Sequence, residues 1–218
     1  MKLSGSVPCS WRAGLVLALI LSLCTLAQGA SPPGQVWSSV VISRTSARGI
    51  KTELEQQLRS HLESPVFKET FYELRLSYPL QMGFGVTLFY RQVFYPDNTA
   101  WRLAVAPRLN APFGLEGLKL RLKFQRHTRH GEDASYHARF RGTFAFPLNN
   151  PCTLFVQAEP WWALEDPATF SRYRLDAGVR IKQSGGLGYE IYYRFQGDHN
   201  REDWQATDII SLKLKAAL

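Results

Sequence analysis

Over most of its length the chain repeats one arrangement, in which apolar and polar or charged side chains alternate with a period of two. In SYHARFRGTFAFPL (135–148), Tyr136, Ala138, Phe140, Gly142, Phe144 and Phe146 share one parity; His137, Arg139, Arg141, Thr143 and Ala145 share the other. An extended strand throws two such sets to opposite faces. LKLRLKFQRH (118–127), WRLAVAPRL (101–109), RYRLDAGVRIK (172–182) and LGYEIYYRFQ (187–196) follow the same rule, each with an aromatic or aliphatic face and a face of Arg, Lys or Glu. Weaker strands are predicted at 52–61, 67–78, 83–92, 153–160 and 204–215, and 36–43 is a short further candidate. No helix-period stripe of useful length is present, and nothing after residue 31 is apolar enough for a membrane helix.

The first thirty residues read as a secretory signal peptide. Lys2 and Arg12 precede an apolar run from Ala13 to Leu26, and small residues place cleavage after Gly29 or Ala30. Residues 31–218 are then a single domain. Cys9 and Cys24 leave with the signal, so Cys152 has no intramolecular disulfide partner. The formal net charge falls from +8 for the whole chain to +6. Basicity fits nucleic acid, anionic lipid or an anion-lined cavity, and export excludes the first.

The connections come in two kinds that alternate along the chain. Residues 79–82, 110–117, 147–152 and 183–186 are compact or rich in Pro and Gly, whereas 93–100, 128–134, 163–169 and 197–203 are polar and mostly longer. Antiparallel strands in series put one kind at each end, the pattern of outer-membrane barrels. Trp101, Tyr136, Trp161, Trp162, Phe170, Tyr173 and Trp204 border the polar set, and Tyr78, Phe113 and Phe146 the compact set, as two interfacial girdles require. A soluble lipocalin-like ligand carrier has the same period with its faces inverted. Arginine dominance of the charged face, the girdles and the bulk of the apolar face favour apolar outside and arginine inside. The prediction is an all-β, closed antiparallel transmembrane barrel of about ten strands, or twelve if 36–43 and a partner join, in a bacterial outer membrane.

Trp37, ELEQQLR (53–59), ELRLSY (73–78), RLKFQRH (121–127), RFRGTF (139–144), QAEPWW (157–162) and YRLDAGVR (173–180) occur in this order along the chain. In these elements the chain resembles the bacterial domain of unknown function 2490 family. The resemblance implies an outer-membrane barrel of a Gram-negative bacterium, of unassigned activity. Membrane lipid, lipopolysaccharide and the barrel-assembly machinery would be its partners.

Catalytic chemistry finds thin support. Ser135 with His137 and His130, or Ser60 with His61, are candidate nucleophile–base pairs for a lipid-hydrolysing or lipid-modifying barrel enzyme, the alternative function. His127, His130, His137 and Glu132 have no metal-ligand spacing, and SGGLG (184–188) precedes a strand, so it reads as a hairpin turn. No catalytic residue, metal or cofactor is assigned. The inward parity is more informative. Arg75, Arg91, Arg102, Arg108, Arg121, Arg139, Arg141, Glu159, Arg172, Arg174, Asp176, Arg180, Glu190 and Arg194 are the candidate lumen-lining residues, within an inward set of seventeen basic and seven acidic side chains. A structural or small, anion-preferring permeability role follows, in a lumen that side chains fill or a narrow path crosses. Charge also sets one register. Pairing Arg180 with Glu190 and Asp176 with Arg194 makes two opposite-charge pairs and puts Gly178 opposite Tyr192; a shift of two residues opposes Arg174 to Arg194.

Overall fold

The computed structural model describes residues 34–62, 67–149, 151–165, 168–200 and 203–218. The expected signal peptide, 1–30, lies outside them. Eleven strands follow one another: β1 (Gln35–Thr45), β2 (Lys51–His61), β3 (Phe67–Pro79), β4 (Phe84–Phe94), β5 (Thr99–Asn110), β6 (Leu118–Arg129), β7 (Ser135–Asn149), β8 (Cys152–Ala163), β9 (Thr169–Lys182), β10 (Leu187–Asn200) and β11 (Asp203–Ala217). Each pairs antiparallel with the next, and β1 closes the barrel against β11.

The count lies between the ten and twelve expected, because 36–43 joins without an added partner. An odd number of alternating strands leaves the first and last running the same way, so the closing seam is parallel. Its register, Gln35↔Ile209 through Ser43↔Ala217, keeps parity. Val36, Val40 and Ile42 stand outward beside Ile210, Leu214 and Ala216, while Trp37 and Ser39 stand inward beside Ser211 and Lys213. Closure here is a physical necessity, because each unpaired amide left in hydrocarbon costs several kcal/mol.

The faces are inverted relative to a water-soluble protein. Leu54, Leu74, Leu88, Leu103, Phe140, Ile191 and Leu212 are exposed on the outside, whereas Glu55, Glu73, Glu159, Arg139, Arg174 and Arg194 are buried within. The soluble-carrier arrangement is thereby excluded: its apolar face would be inside. Trp162, Phe170, Tyr173 and Trp204 pack edge to edge on β8–β11 as a continuous outer belt, with centroids 5.3–5.9 Å apart along Trp162–Phe170–Trp204–Tyr173. One outward carboxylate, Asp208, interrupts the apolar surface and accepts a hydrogen bond from the Tyr193 hydroxyl.

Two expectations need correction. Trp161 belongs to the inside, with the parity of Glu159; a register shift between Trp161 and Trp162 lets the next residue face outward opposite Phe170. The polar connections are also no longer than the compact ones. Gly197–Asn200 zips against Asp203–Ala206, and β6, β7 and β9 likewise extend into their polar segments. Polar residues gain ladder hydrogen bonds in water as readily as apolar ones do in lipid, so polarity marked the end of the barrel but not the length of its loops.

The charge-based register is the one observed: Lys182↔Gly188, Arg180↔Glu190, Gly178↔Tyr192, Asp176↔Arg194 and Arg174↔Gln196. A Cβ on Gly178 would collide with the Tyr192 side chain and the Ile191 carbonyl, so this position must be glycine for the ring to cross it. Phe140, near the middle of β7 and outward, provides the test of the inversion. Phe140→Arg should cost about 2–4 kcal/mol in unfolding from lipid vesicles. Unchanged stability would mean that this face does not meet hydrocarbon.

Candidate functional site

The inner wall is divided by charge. Strands β4, β5, β6 and β7 contain no Asp or Glu; the acids between Phe84 and Asn149 (Asp97, Glu116, Glu132 and Asp133) all lie in connections. These four strands point Arg91, Arg102, Arg108, Lys119, Arg121, Lys123, Arg139 and Arg141 inward. Several oppose one another directly: Arg91↔Arg102, Arg108↔Arg121, Arg121↔Arg141 and Lys123↔Arg139. Opposed like charges destabilise a sheet, so this wall stands because carboxylates reach it from both flanks.

Two glutamates carry most of that task. Glu159 on β8 accepts from Arg139 Nε at 2.7 Å and from the Arg141 guanidinium, with Arg121 at 3.9 Å. Glu73 on β3 accepts from Arg91 at 2.6 Å and Arg75 at 2.5 Å. Glu55, which directly opposes Glu73, is held by Arg75 and by Lys213 at 2.8 Å. On the far wall Asp176 receives Arg194 through two bonds, 2.6 and 2.7 Å, and Glu190 receives Arg180 at 2.9 Å and Lys215 at 2.7 Å. Arg59–Glu69 and Arg172–Asp198 close pairs nearer the end formed by connections 95–98 and 130–134.

Aromatic rings space the cations. Trp37 lies 3.7 Å from the Arg59 guanidinium and 4.8 Å from Arg194; Phe71 lies 3.7 Å from Arg91, Phe89 3.9 Å from Lys123, Phe155 4.0 Å from Arg180, and Trp161 3.7 Å from Arg139. A ring face attracts a cation and separates it from its neighbours, so like charges can share one interior. Sequence reasoning placed Tyr192 inward but missed these rings. Their signal was present, since Phe71 lies between Glu69 and Glu73, and Phe155 and Trp161 share the parity of Glu159.

A cavity of about 320 Å³ occupies this interior. Of the sequence-predicted residues, Arg75, Arg91, Arg102, Arg139, Arg141, Arg172, Arg174, Asp176, Glu190 and Arg194 line it. Glu159 stands behind it, saturated by arginine, and Arg121 and Arg180 contribute through their pairs with Glu159 and Glu190. Arg108 is set apart near the opposite end, beside Gly85, and its Nε lacks a hydrogen-bond partner. The cavity also takes in Lys68, Tyr95 and Lys213. Lys68 falls at a register shift in the β2–β3 ladder, between Glu69 opposite Arg59 and Phe67 opposite Ser60.

The catalytic candidates are placed unfavourably for lipid chemistry. Ser135 Oγ and His137 Nε2 are 3.3 Å apart, but both side chains face the interior, away from lipid, and among the described residues no carboxylate hydrogen-bonds the imidazole. Glu132 pairs with Arg129 at 3.1 Å. Among the described residues no group of His, Cys, Asp and Glu is arranged to hold a metal ion.

Replacing Glu159 with Gln would leave Arg139 and Arg141 buried without their carboxylate. The expected cost is about 3–5 kcal/mol, read as a lower urea midpoint for the vesicle-reconstituted barrel. An unchanged midpoint would contradict the role given to this glutamate.

The sequence model of a protein family of unknown function, DUF2490, matches residues 34–207. No curated protein matches the chain in sequence. Solved structures similar to it include two porin structures. One is a KdgM porin, 12% identical, with a TM-score of 0.47, covering 72% of this chain and 80% of its own. The other is a KdgM porin in complex with disordered oligogalacturonate, 13% identical, with a TM-score of 0.48, covering 76% of this chain and 84% of its own.

Proposed function

We propose that this chain, which belongs to the DUF2490 family, is an exported outer-membrane barrel that selects small anions through its cationic interior. The observation that carries this reading is the wall β4–β7, four consecutive strands whose inward charges are all positive. Two flanking glutamates, Glu73 and Glu159, answer several cations each and leave the wall with net positive charge. A ring of fixed cations lowers the energy of an anion in a narrow, low-dielectric bore and raises that of a cation. Acyl transfer and metal chemistry are not part of this reading, because Ser135 and His137 face inward without an orienting acid.

The packing at mid-barrel favours a second reading. Lys123 and Arg139 are 4% and 5% exposed, and Glu73 and Glu159 only 1%. An interior filled to this degree would hold an anion rather than pass it. Planar-bilayer recording in a salt gradient separates the two. Conduction should give a reversal potential on the anion side, and Arg108→Glu, at a position without a carboxylate partner, should shift it toward cations. Cation preference in the wild type would overturn the proposal; a silent bilayer would favour the holding role.

A further inference from the structure

Near the end formed by connections 95–98 and 130–134, four neighbouring strands place shielded nitrogen atoms that no described residue meets. Among them are Arg102 Nε on β5, His127 Nε2 on β6, His137 Nδ1 on β7 and Trp161 Nε1 on β8. Register brings them together. Arg102 opposes His127 and His127 opposes Ser135; Trp161 stands between Arg139 and Arg172, with the His137 ring 6.4 Å away. Trp161 is buried, and an indole N–H and a guanidinium Nε–H can only donate.

No carboxylate oxygen of the described residues is similarly left unmet. The two whose role is fixed, Trp161 Nε1 and Arg102 Nε, are both donors. Charge points the same way. Arg174, 4.5 Å from the Trp161 ring, has only the Gln196 amide oxygen at 2.7 Å, and Arg102 has only the Tyr95 hydroxyl at 3.4 Å. Arg172 alone of the three holds a carboxylate, that of Asp198. Water could satisfy the donors, but it would leave Arg102 and Arg174 without a carboxylate in direct contact.

Resting on the anion reading above, we infer that this corner of the cavity is a binding site for one oxyanion group, a carboxylate, sulfate or phosphate. Trp161 and Arg102 donate to its oxygens and Arg174 supplies the countercharge. The imidazoles of His127 and His137 border the site, each with one ring nitrogen that no described residue meets. Charge-assisted bonds from guanidinium groups to such an anion are the strong ones, and the indole N–H adds direction.

Calorimetric titration of the detergent-solubilised barrel with sodium sulfate, sodium phosphate and sodium acetate, at constant ionic strength, tests the site. Their relative affinities identify which oxyanion it prefers. Trp161→Phe keeps a ring over Arg139 and Arg174 but removes the N–H, and should weaken the best-bound anion about 5- to 10-fold. Arg174→Gln should weaken it by more than about 10-fold. Heat-modifiable mobility in gels confirms that each variant is folded. The site is overturned if wild type binds none of the three anions, or if both folded variants bind as tightly as wild type. A barrel that conducts with anion preference but shows that result loses only this site. One that binds sulfate through Trp161 and Arg174 but prefers cations loses only the permeability reading.

Discussion

Every amide in the spanning region must find a partner within the chain, because hydrocarbon offers none. The barrel meets this demand with eleven strands, and the parallel β1–β11 seam is the consequence. Closure then constrains the side chains. With both edges consumed, strict alternation leaves each residue only lipid or the interior as surroundings. The outward set can be uniformly apolar without specificity. The inward set is crowded, charged and short of water, and must solve its electrostatics locally.

The solution is a division of labour around the wall. Strands β4–β7 carry cations only; Glu73 answers them from β3 and Glu159 from β8, while Glu55, Asp176 and Glu190 hold cations of β3, β9, β10 and β11. Desolvating an arginine is expensive unless it is paired and hydrogen-bonded, and Arg91, Arg139 and Arg141 have such pairs. Where pairing runs out, toward the end that holds Arg102 and Arg174, rings take over from carboxylates and unmet donors collect. The unmet donors at that end are what relate a structural network to the handling of anions.

Much of this was legible in the sequence. Alternation in 118–127, 135–148, 172–182 and 187–196 set the fold class and the inward parity, and two opposite-charge pairs were enough to set the β9–β10 register. The strand count was harder, since VWSSVVIS alternates apolar with serine and carries no charge to mark its inner face. Trp161 was misassigned because an aromatic pair beside a polar connection looks the same whether both rings or one face lipid; only the register shift between them decides. Loop lengths were overestimated because polarity reports contact with water, which paired strand ends share. The vestibule cluster was out of reach for a different reason. Arg102, His127, His137 and Trp161 lie on four strands, and only the accumulated register of three ladders brings them to one place.

The closing seam is the claim on which both the inversion and the positive wall depend, and it can be tested covalently. Ser38 and Leu212 are register partners across it, both on the outer face. In a chain with Cys152→Ser, the pair Ser38→Cys and Leu212→Cys should cross-link in the folded barrel under mild oxidation or with a short bifunctional thiol reagent. The product should be a looped chain of altered mobility after boiling. A barrel that folds normally yet fails to cross-link at this pair, while joining Ser38→Cys to a different position on β11, would contradict the parallel closure and the inward assignments built on it.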